Sequence, residues 1–124
     1  MPVVRTKGQV EAKIAAIVTS FEREQMGRGP KEVRAWIIED LILIRLRGVL
    51  TPAETRLTED PNGRHLLKSL RTRLIEHSRS ALEAEIESVT GVPVISLHSD
   101  LSIRTGERII VLTLADNLEA QFRQ

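Results

Sequence analysis

The chain has 124 residues, long enough for one core that buries about two-thirds of the surface its unfolded form would expose. Eighteen Lys or Arg against 17 Asp or Glu leave a formal charge of +1, far from the bulk positive field of a nucleic-acid coat protein. It has no cysteine, which excludes disulfide stapling and thiolate chemistry.

Residues 7 to 25 place Val10, Ile14, Ile17, Val18 and Phe21 at offsets of three and four, with charges between them, so they predict an amphipathic helix. It should end near Met26, because Gly27 and Gly29 weaken the helix and Pro30 lacks a backbone donor. From Val33 to Arg47 the period changes to two. Val33, Ala35 and Ile37 alternate with Arg34, Trp36 and Ile38. Beyond Glu39 and Asp40, Ile42, Ile44 and Leu46 alternate with Leu43, Arg45 and Arg47, which predicts a β-hairpin with two arginines on one face of its second strand.

Gly48 closes the hairpin, and TPAE opens a short helix with Thr51 as N-cap, Pro52 in the first turn and Glu54 as capping-box partner. Asp60 and Pro61 start a second, long helix that runs to about Thr90 and stops at Gly91. Its band of Leu67, Leu70, Leu74, Ile75, Ala81, Leu82, Ile86 and Val89 is wide enough to face both a sheet and a second helix or subunit. Val92 to Ile103 reads as extended, with Ile95, Leu97, Leu101 and Ile103 on one side; Thr105 and Gly106 turn the chain into a return strand, Ile109 to Leu114. Asp116 is the candidate cap of a last short helix containing Leu118 and Phe122.

Two hairpins and segregated helices predict an α+β fold over residues 1–124, a single domain in which a mainly antiparallel sheet packs against a long helix and an N-terminal helix. The N-terminal MPVVRTKGQ has no long apolar run, and no apolar stretch approaches the roughly 20 residues of a membrane-crossing helix. The expected location is the cytoplasm, with membranes reached only through a protein partner.

Candidate chemistry is sparse. Arg28, Gly29 and Pro30 form a junction that can turn the chain, contact a protein or offer amides to an anion, but the segment matches neither nucleotide-binding fingerprint. His65 and His77 lie twelve residues apart on the long helix, about 18 Å of rise, too far to share a metal. His98, Ser99 and Asp100 include the residue types of a hydrolytic triad, yet neighbours on a strand point to opposite faces. Glu83 and Glu87 share a helix face that is more readily solvated than metal-binding. No catalytic residue, metal or cofactor is therefore expected. Arg64, Lys68 and Arg71 recur on the long helix and Arg45 and Arg47 on the strand, a basic set suited to RNA, acidic lipid or an acidic protein. Against RNA, the aromatics are only Trp36, Phe21 and Phe122, and the TEDPNGRH helix junction lacks the Gly-x-x-Gly clamp of a KH module.

FEREQMGRGPKEVRAWI at 21–37, GVLTPAE at 48–54, SLHSDLS at 96–102 and TGERIIVLTL at 105–114 resemble, in that order, the small bacterial MpsC family. The resemblance implies an accessory component of a sodium-translocating, membrane-potential-generating system, with a hydroxyl retained where Ser99 stands in place of the family's frequent threonine. It supplies no catalytic residues. A chain without a span cannot enclose an ion path, so the implied role is a soluble modulator of separate integral-membrane transporter subunits for ions or bicarbonate.

Taken together, these features lead to an expected non-enzymatic interaction domain. It would be a homodimer through the wide helical band, with Arg28, Gly29, Pro30, Arg45, Arg47, Arg64, Lys68 and Arg71 as partner contacts. A small RNA-binding regulator using the basic set is the alternative, and a small hydrolase using His98, Ser99 or Asp100 ranks third.

Overall fold

The computed structural model describes residues 5–122. Residues 1–4 of the N-terminal stretch, and 123–124, lie outside the described residues. The elements are α1 (Lys7–Met26), β1 (Glu32–Ile38), β2 (Leu41–Arg47), α2 (Pro52–Leu57), α3 (Pro61–Thr90), β3 (Val94–Ser102), β4 (Glu107–Leu114) and a closing 3-10 turn, Glu119–Phe122. The four strands form one antiparallel sheet in the order β1-β2-β4-β3. Helices α1 and α3 pack together and cover one face of it. This is the two-layer α+β arrangement expected from the switch in hydrophobic period.

Local chemistry sets the element ends. Thr6 caps α1 through a capping box with Gln9, and Thr51 caps α2 through one with Glu54. Asp60 accepts from the Gly63 amide at 2.7 Å to start α3. Gly27 ends α1 at φ 79°, and its amide donates to the Arg23 carbonyl at 2.8 Å, so the first glycine of the junction is a helix stop.

Even-numbered residues of β2 and β4 point at the helices and odd-numbered ones point away. Ile42, Ile44, Leu46, Ile110, Leu112 and Leu114 meet Ile14 and Val18 of α1 and Leu82 and Ile86 of α3 in one buried cluster. The β1 edge is blunted by α1, because Glu11 Oε2 accepts from the Ile37 amide at 2.8 Å.

Three details depart from expectation. Ile95 is 63% exposed because the register slips between Val94 and Ser96, a bulge that takes it out of step with buried Leu97 and Leu101. Asn117, not Asp116, accepts from the amide of Ala120 in the last turn, at 3.0 Å. The long-helix band is narrower than its sequence: Leu67, Ile75, Leu82 and Ile86 are buried, Leu70 and Ala81 exposed and Leu74 between. The contact stripe recurs every three to four residues, and positions one step to its side fall beyond the sheet.

Candidate functional site

Arg71 lies in the middle of that buried stripe, one turn from both Leu67 and Ile75, and it is only 2% exposed. Its Nε and Nη2 donate to the two carboxylate oxygens of Glu54 at 3.0 Å each, the bidentate pairing that suits a guanidinium. Nη1 donates to Glu22 at 3.1 Å and Nη2 also to the Val49 carbonyl at 2.6 Å. A second buried arginine, Arg108 of β4, approaches the other oxygen of Glu22 at 3.6 Å and donates through Nη1 to Ser99 Oγ at 2.8 Å. Two guanidinium groups and two carboxylates thus balance in charge under the helix layer.

The group tunes its own ionisation. Burial alone would raise the Glu54 carboxyl, but hydrogen bonds from Arg71 and from Thr51, with the charge of Arg71, outweigh it and hold Glu54 below the ordinary carboxylate value. Burial lowers Arg108 below the ordinary arginine value and adjacent Arg71 acts in the same direction, while Glu22 opposes them. Arg108 Nε is buried without a hydrogen-bond partner. Beside the cluster lies a cleft of about 120 Å³ lined by Lys68, Thr72, Glu76 and Ser99, with Arg71 and Arg108 at its wall.

Every one of the four segments that carry the family resemblance reaches this cluster. Glu22 comes from FEREQMGRGP, the Val49 carbonyl and Glu54 from GVLTPAE, Ser99 from SLHSDLS and Arg108 from TGERIIVLTL. Sequence reading assigned Glu54 its capping role and missed the rest, although a signal was present. Arg108 shares parity with Ile110 and Leu112, Glu22 stands four after Val18, and Arg71 stands four after Leu67.

The eight expected contact residues do not form one surface. Arg71 is not a surface residue at all, because its position on the inward stripe turns it to the carboxylates. Arg45 and Arg47 extend from the uncovered sheet face, with Arg45 paired to Glu107 at 2.6 Å. Arg64 and Lys68 lie on the helix layer, where Arg64 donates to the Thr58 carbonyl at 2.9 Å and Lys68 is 3.5 Å from Asp100. Arg28 is exposed in the junction, with Gly29 packed on the Arg23 guanidinium at 3.4 Å from where a Cβ would sit and Pro30 partly exposed. The junction is tied to the sheet by the Lys31 amide, which donates to the Arg47 carbonyl at 2.9 Å.

The three adjacent residues of the hydrolase reading diverge. Ser99 points inward to Arg108, whereas His98 and Asp100 are exposed. Among the described residues no group of three His, Asp or Glu is placed to hold a metal ion, and no helix is long and apolar enough to cross a membrane.

Comparison with known proteins agrees with the resemblance. Residues 6–116 match the family model described as "Na+-translocating membrane potential-generating system (MpsC)". The uncharacterized protein YbcI of Bacillus subtilis (strain 168) is 38% identical over 115 residues, spanning 93% of each chain. The uncharacterized protein YrhF of the same organism is 26% identical over 106 residues, 85% of this chain and 87% of its own. No solved structure matches. With the family model covering nearly the whole fold and a full-length relative at 38% identity, the chain belongs to the MpsC family.

Proposed function

We propose that this chain is a non-catalytic accessory domain that docks onto another protein of a sodium-translocating, membrane-potential-generating system. The observation that carries the reading is a leucine ridge on the outer side of the helix layer. Leu66 and Leu70, one turn apart on α3, are 60% and 47% exposed, and Leu57 at the end of α2 is 41% exposed. Arg73, three residues after Leu70, continues the same face of α3, whereas Arg64 and Lys68 lie across the buried stripe from it. Leucines exposed this way suit a partly apolar protein surface better than bulk water.

Two further points support the accessory role. The family description names the system, and an ion path through lipid needs spanning helices or a closed barrel. The sheet described here is open, with β1 and β3 as its edges. The buried charges are engaged with one another and with Ser99, so the cluster acts as an internal brace that holds α1, α2 and α3 in position over the sheet.

The test replaces the native copy in its host with a Leu66→Ser/Leu70→Ser variant shown to be folded by circular dichroism. Sodium-dependent membrane potential and co-purification with membrane proteins should both fall to the level of a deletion. A variant that supports both as well as wild type would overturn the reading. An Arg28→Ala arm reports whether the junction joins the contact. RNA binding at low salt that Arg64→Ala and Lys68→Ala abolish would instead favour an RNA regulator.

A further inference from the structure

The two buried arginines share their carboxylates unequally. Arg71 engages all three of its nitrogens, taking both oxygens of Glu54, one of Glu22 and the Val49 carbonyl. Arg108 is as deeply buried, at 3% exposed, yet among the described residues its one hydrogen bond runs from Nη1 to the Ser99 hydroxyl, at 2.8 Å. Its Nε has none, and Glu22 Oε1 stands 3.6 Å from it, beyond hydrogen-bond reach. A guanidinium carries five donors and is costly to bury without a charged acceptor, so Arg108 is the under-coordinated member of the cluster.

The cleft beside the cluster leads to this group. Ser99 and Arg108 both line it, so the Nη end of the guanidinium, the end that meets Ser99, is the end at its wall. The Ser99 oxygen accepts from Arg108, which leaves its own proton to donate elsewhere. Lys68 and Thr72, four apart on α3, bring an ammonium and a second hydroxyl to the same space. Its volume of about 120 Å³ is well above the roughly 10–15 Å³ that admits one water, so a group of four or five non-hydrogen atoms fits.

Two carboxylates at the rim restrict the charge of what can enter. Asp100 lies 3.5 Å from Lys68 and accepts from the Leu101 amide at 2.9 Å, and Glu76 lies 3.7 Å from Arg79. Their side chains are 86% and 57% exposed, where water and salt screen them, whereas the Arg108 charge is almost wholly out of water and is screened much less. The inner charge therefore favours an anion, and the rim opposes a second negative charge on it. That combination selects a singly charged carboxylate over a phosphate.

We propose that the cleft between α3 and β3 is a carboxylate-binding site, in which Arg108, Ser99, Thr72 and Lys68 hold the oxygens of a small organic acid or of an acidic side chain. It opens on the opposite flank of α3 from Leu66 and Leu70, so it is separable from the leucine ridge.

Heteronuclear NMR of the folded chain, titrated with sodium acetate at constant ionic strength, tests it. Acetate should move the Arg108 Nε–H signal and the amides of Ser99 and Leu101 saturably, half-complete near about 1 mM, while sodium chloride should not. Thr72→Val and Lys68→Gln should each weaken binding about fivefold, and Glu76→Gln should tighten it about threefold. Arg108→Met should abolish it, and Thr72→Val with Lys68→Gln keeps the test decisive if that change disturbs folding. A capped Gly-Glu-Gly peptide separates the two sources: binding tighter than acetate assigns a protein's acidic side chain, and equal or weaker binding assigns a free acid. No saturable shift up to about 50 mM acetate, saturation by methylammonium instead, or unchanged affinity in both Thr72→Val and Lys68→Gln would each overturn the proposal.

Discussion

Replacing Arg71 with methionine keeps a long, unbranched side chain and removes the charge at the hub of the buried cluster. The guanidinium makes four hydrogen bonds, two to Glu54, one to Glu22 and one to the Val49 carbonyl. After substitution Glu54 keeps only its cap bond from the Thr51 amide, at 2.8 Å, and Glu22 keeps Arg108 at 3.6 Å. Orphaning one partner of a buried ion pair costs about 3–5 kcal/mol, a large part of the roughly 5–15 kcal/mol that holds a domain folded. In urea, with a slope of about 1.5 kcal/mol/M, the unfolding midpoint should fall by some 2–3 M. Glu54→Gln is the matching partner change, since glutamine preserves the capping box while removing the carboxylate charge. The double variant should be more stable than the sum of single losses allows, with a coupling of about 2 kcal/mol. A loss below about 1 kcal/mol for Arg71→Met, or no coupling to Glu54→Gln, would refute the claim that these charges hold each other.

Other expectations follow from single features. Because Glu54 is held below its ordinary value of 4.5 when folded, its stabilising contribution is complete above that value and is lost as pH falls through the lower folded value. Denaturation midpoints measured from neutral to acid pH should decline in that window, and Glu54→Gln should flatten the decline. A Cβ on Gly63 would lie 1.8 Å from the Leu57 carbonyl oxygen, so Gly63→Ala must push α2 off α3. It should cost about 3 kcal/mol and lower Tm by roughly 10 °C in calorimetry. Glu39 adopts φ 54° in the β1–β2 turn, held there by its backbone bonds with Glu119 at 2.9 and 3.1 Å. Glu39→Asn, better suited to that region, should raise stability by about 0.5 kcal/mol, and a drop would show that the turn is not strained.

Much of the layout was readable because its signals are local. The Thr51–Glu54 box and the Asp60–Pro61 start are written within four residues each, and the β1–β2 alternation within fifteen. The Val94–Ser96 slip was not readable, since period-two alternation assumes an unbroken ladder. Arg71 was misplaced for a different reason. Charge suggests solvent and position suggests core, and only the three-dimensional meeting of Glu22 and Glu54 from other segments makes position win. Leu66 and Leu70 show the converse: a helical period says which residues share a side, but not how far the sheet beneath extends.

A single guanidinium at position 71 joins groups contributed by residues 22, 49 and 54, so loosening α2 or the first helix strips partners from the same hub. Amide hydrogen exchange should consequently report few independent openings across these segments: protection in α1, α2 and the middle of α3 ought to vanish together, near the free energy of whole-chain unfolding.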